Sequence, residues 1–140
     1  MQNSNIHLSL TINQDSEISH TEYQTDAKFL NKNNVWYLFY DEFNEESREK
    51  TQCRFEITQN SIRMRRNGPI IIEQNHEINN ETTGYIKTTF GEIITRIITT
   101  NNRLFEIEKN VHKLELNYEL YTGEELTGIY SLTINIKTGG

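Results

Sequence analysis

The chain is poor in the residues that staple or punctuate a fold: one cysteine, one proline and one tryptophan in 140 residues. The single cysteine, Cys53, excludes a disulfide framework within the chain and gives no sign of an oxidising compartment. No apolar run approaches the ~20 residues of a membrane-crossing helix. The opening MQNSNIHLSL has neither a basic stretch nor a long apolar core, so no secretory signal is expected. Positive charge is scarce too, with 14 Lys and Arg against 20 Asp and Glu, a net charge of −6. A nucleic-acid binder normally carries a basic field to hold phosphates, and an anionic membrane surface would repel this chain. Helical periodicity is also absent. The expectation is one soluble cytoplasmic domain over residues 1–140, of a bacterial type, with no nucleic-acid or membrane partner.

What is present is alternation with period two. Ile6, Leu8, Leu10 and Ile12 share one face of a first strand. A second strand, roughly Glu22 to Leu30, aligns Tyr23, Thr25, Ala27 and Phe29. VWYLFYDEF is apolar on both faces, FNEESREK is a charged hairpin loop, and Thr51, Cys53, Phe55 and Ile57 align on the returning strand. In SIRMRRNGPIII, Ile62, Met64 and Arg66 face inward, and Arg63 and Arg65 face solvent. Asn67-Gly68 is the strongest hairpin signal, because both residues tolerate positive φ. Pro69 should open the next strand, with Ile70, Ile72, Gln74 and His76 inward. Two segments split at Gly91 put Ile86, Thr88 and Phe90, then Ile93, Thr95, Ile97 and Thr99, on the inner face. Leu114, Leu116, Tyr118 and Leu120 align next, then Tyr130, Leu132, Ile134 and Ile136. Eight to ten short strands joined by hairpins predict an all-β antiparallel up-and-down barrel.

The strings RNGPIIIEQN, YIKTTFGEI and YELYTGEELTGIYSLTI, in this order and spacing, resemble the YwiB-like family of small bacterial proteins of unknown function. The resemblance spans nearly the whole chain and implies a barrel of lipocalin or calycin type. It falls on Arg66, Gln74, the corner Phe90-Gly91-Glu92, Tyr118 and Gly123. The chain departs at His76, where an aromatic residue such as Phe is expected, and at Ile94 and Ile98, where polar residues are expected. The family carries no established activity.

An inward arginine must be paired. Arg66 therefore makes a structural salt bridge, caps a carbonyl, or anchors an anionic ligand group. With Gln74, Thr88 and Tyr118 it would form a polar cluster inside an apolar barrel, and His76, the remaining ligand-binding candidate, is expected at the rim or hydrogen-bonded. His7, His20, His76 and His112 lie apart in sequence, so no metal or cofactor is expected. Cys53 reads as an inert core thiol, and Asp41-Glu42 and Glu124-Glu125 as solvated acids. No catalytic constellation stands out. The expected function is non-enzymatic binding of a small, partly apolar or anionic ligand inside the barrel. The alternative is an interaction module with a filled barrel. Outward Ile71, Ile94 and Ile98 are expected to pack under the segment 101–110, or else to form a homodimer patch.

Overall fold

The structure, a computed structural model, describes residues 2–139. Ten strands follow in order: β1 (Gln2–Gln14), β2 (Glu17–Lys32), β3 (Val35–Phe43), β4 (Lys50–Ile57), β5 (Ser61–Asn67), β6 (Ile71–Glu77), β7 (Glu81–Thr88), β8 (Gly91–Glu108), β9 (Val111–Thr122) and β10 (Glu125–Thr138). Each pairs antiparallel with its chain neighbours, and β10 returns to pair with β1, which closes the barrel. This is the up-and-down architecture that the short connections demanded. No helix among the described residues is long and apolar enough to cross a membrane.

Turn chemistry sets the connections. Asp15 and Ser16 between β1 and β2, and Asn33 and Asn34 between β2 and β3, all adopt positive φ. That is the backbone of primed two-residue hairpin turns, whose twist matches that of the flanking strands. Asn67-Gly68 does not follow this pattern: neither residue has positive φ, and β6 begins at Ile71 instead of Pro69. The glycine is needed for space, since a Cβ at Gly68 would collide with the side chain of Thr51. Gly91, expected at a bulge or bend, adopts φ 135° directly after the β7–β8 turn, a conformation open to glycine.

Two strands are longer than expected. β2 starts at Glu17, because it pairs with β1 over that strand's whole length. β8 runs 18 residues and absorbs the segment 101–108, with register shifts near Thr99 and Glu106 that bend it around the barrel. That segment is therefore wall and cannot cover the outer isoleucines, and Ile94 is left 59% exposed.

The hairpins β1–β2, β3–β4, β5–β6, β7–β8 and β9–β10 define one end, the upper end; the remaining connections, the start of β1 and the end of β10 lie at the lower end. The core fills the lower half, where inward Ile6, Leu38, Ile97, Leu114, Ile134 and Ile136 are completely buried. Phe29 stacks on Trp36 at 4.7 Å between ring centroids, and both rings meet His112 within 5.2 Å. These three rings plug the lower end.

Candidate functional site

Strand parity continues upward, but packing does not. The inward residues Leu10, Tyr23, Met64, Arg66, Ile72 and Tyr130 are only half-buried. They surround a cavity of about 400 Å³ in the upper half of the barrel. Aliphatic and aromatic side chains, tyrosines among them, supply most of its wall; Gln74, Tyr40 and Tyr118 reach its deep end, and Thr21, Glu42 and Arg66 stand at the mouth.

The mouth is built on an ion pair. Arg66 donates from Nη2 to Glu42 Oε2, and the Tyr23 hydroxyl donates to Glu42 Oε1. Burial opposes the Arg66 charge, but the hydrogen bond to Glu42 and the charges of Glu42, Cys53 and Tyr40 together outweigh it, so the guanidinium holds its proton more tightly than a free arginine. Burial, and then the bond to Glu42, lifts the Tyr23 phenol well above its ordinary range. Pairing between β2 and β3 covers only Lys28–Lys32 with Val35–Phe39. Tyr23 and Glu42 lie beyond the last of these pairs, so their hydrogen bond ties the two strands together from inside.

Below the cavity is a second polar group. His76 is completely buried. Its Nε2 lies 2.9 Å from Gln74 Oε1 and its Nδ1 2.9 Å from Thr99 Oγ1. An amide oxygen only accepts, so Nε2 carries the proton and Nδ1 accepts from the threonine hydroxyl. Burial lowers the His76 pKa to about 3, which keeps the ring neutral. The ring lies 4.5 Å from that of Tyr118, which stacks on Tyr130 at 4.8 Å. Burial raises the Tyr118 phenol above its ordinary range, partly offset by the nearby Gln74 amide.

The structure therefore brings Arg66, Gln74 and Tyr118 to the cavity. His76 lies just beneath, in the core and not at the rim. Thr88 stands apart: its Oγ1 accepts from the Phe90 N–H at 3.0 Å and bonds the Gly91 carbonyl, so it caps the β7–β8 turn. Phe90, expected inward with it, is 99% exposed on that turn. Glu42, expected to be solvated, is the partner of Arg66, and it shares the inner face of β3 with Leu38 and Tyr40. The same parity that placed Arg66 would have found Glu42, but an acid at a strand end reads as solvent-facing. Tyr23 and Tyr130, also in the wall, were legible as inward but not as a site. On the outer face, His7 and His20 lie 2.5 Å and 3.2 Å from Glu22, a proximity that their sequence spacing hides.

Comparison with known proteins agrees with this architecture. The chain is 21% identical over 134 residues to the uncharacterized beta-barrel protein YwiB of Bacillus subtilis (strain 168), covering 96% of this chain and 92% of that one. The crystal structure of the ywiB protein from Bacillus subtilis superposes with a TM-score of 0.84 at 19% identity, over 99% of this chain and 93% of that one. A domain of unknown function, DUF1934, matches residues 6–134. With that match over most of its length, the chain belongs to the DUF1934 family.

Proposed function

We propose that this barrel is a non-enzymatic binding protein that holds a small, largely apolar ligand in its upper half. The observation that carries this reading is the cavity of about 400 Å³, with apolar walls and a few convergent polar groups. That volume and lining match the usual small-molecule site. The state of the reactive groups supports binding over catalysis. His76 is neutral and hydrogen-bonded on both ring nitrogens, and burial pushes the Cys53 thiol up to about 12, far from a thiolate nucleophile. The pairing of Arg66 with Glu42 weighs against an anion anchor, because the guanidinium charge is already met. We place the protein in the cytoplasm, a reading that its single, buried cysteine supports.

Native mass spectrometry of the protein purified from its own cells tests this. The expected result is a bound small molecule that is lost or weakened in a Leu10→Trp variant, whose indole projects into the cavity. Bare protein from those cells, with no uptake of an apolar dye that the variant refuses, would overturn the reading. A second reading, association of two copies through the outer face, is favoured by the exposure of Ile94. The same spectra report it as a dimer mass.

A further inference from the structure

Outside the mouth lies a groove of about 790 Å³ that shares Thr21, Tyr23, Glu42, Arg66 and Ile72 with the cavity. The two spaces thus adjoin at the mouth. The groove has two kinds of wall. Phe43 and Ile70, 62% and 49% exposed, give it an apolar side. Asp41, Glu45 and Glu49 give it carboxylates. Among its lining residues the only basic side chain is Arg66, already bound to Glu42. Lys50 stands 4.0 Å from Asp41 and balances part of one charge, which leaves the groove acidic.

A ligand reaching from cavity to groove meets apolar walls first and negative charge second. An anionic head would face the carboxylates and find the one cation taken. A cationic head would be attracted, and the attraction is strengthened by the low-dielectric walls beside it. We propose that the ligand is a cationic amphiphile, an aliphatic chain ending in an ammonium group, with its chain in the barrel and its head in the groove. This rests on the cavity reading above and names the ligand class for it.

Three probes with one tail separate the two ideas: dodecylamine, dodecanol and dodecanoate, titrated by calorimetry at pH 7 below their micelle concentrations. Dodecylamine should bind tighter than dodecanoate by on the order of tenfold. The exposed triple variant Asp41→Asn, Glu45→Gln, Glu49→Gln should bring dodecylamine down to the level of dodecanol, with dodecanol itself unchanged. Dodecanoate binding as tightly as the amine, or a triple variant without effect, would overturn the inference. If all three bind alike, the head-group assignment falls and the cavity reading stands. If none binds, both fall.

Discussion

The lower and upper halves of this barrel are built by the same strands in the same alternation, yet one is solid and the other hollow. Ten strands enclose more space than the eight that side chains readily fill. The lower half closes that space with completely buried aliphatic residues such as Leu114 and Ile134, and with the ring cluster of Phe29, Trp36 and His112. The upper half has no such plug. Its inward positions hold phenols, an amide and an ion pair, and the space between them stays open. The pattern of strands thus decides the fold, and the identity of a few inward side chains decides whether the fold contains a site.

The contrast can be broken most forcefully by truncating one leucine in each half. Leu114→Ala removes a completely buried side chain from the packed layer and should cost about 2–5 kcal/mol. Leu10→Ala removes a half-buried side chain that already borders the cavity, and should cost only about 1 kcal/mol. Urea denaturation midpoints compare the two. Equal losses would mean that the upper half is as tightly packed as the lower.

His76 sits at the boundary, and acid probes it. Its folded pKa of about 3 lies below the ordinary value of 6.5. The unfolded chain therefore binds a proton that the folded chain refuses in the window between those values. The stability that His76 confers is complete above pH 6.5 and falls by about 1.4 kcal/mol per pH unit as the pH drops toward 3. His76→Phe removes this proton. At pH 7 the variant should be the less stable protein, because Gln74 and Thr99 lose their shared partner. Its deficit should shrink steadily below pH 6.5. Other titrating groups act on both proteins alike, so a constant deficit between pH 7 and pH 4.5 would show that His76 is not the neutral buried group described here.

The legible and illegible parts of the molecule divide on physical grounds. Parity placed nearly every inward residue within a strand, from Ile6 to Ile136, because burying one face of a strand enforces its register. It failed at and just beyond strand ends: Thr88 closes β7 and caps the turn, Phe90 lies in that turn, and Ile70 and Ile93, expected inward, are exposed. Asn67-Gly68 misled because the glycine answers to Thr51, a contact between residues distant in sequence. The continuation of β8 through residue 108 depends on β9 being present to pair with it, which no local signal announces. The site divided in the same way. Arg66, Gln74 and Tyr118 were visible as polar residues on apolar faces. The partner of Arg66, Glu42, was not, because an acid at a strand end reads as solvated even where parity turns it inward.

The finest test compares neighbours. Arg65 and Arg66 are adjacent in sequence and each meets a carboxylate, but on opposite sides of the wall. Arg65 lies 2.9 Å from Glu73 on the outside, in water. Arg66 meets Glu42 at the mouth, where both side chains are half-buried. Exposed pairs contribute little, because solvent screens the attraction and two long side chains lose entropy, so Arg65→Ala should cost less than about 1 kcal/mol. Arg66→Ala leaves Glu42 half-buried with only the Tyr23 hydroxyl, and should cost about 1–2 kcal/mol. Most of that loss is the stranded carboxylate and not the lost attraction, so Glu42→Leu combined with Arg66→Met should recover much of it. Chemical denaturation of the three variants decides the point. Recovery in the double variant would mean that the pair is kept for what it does at the mouth, since an apolar pair would hold the barrel equally well.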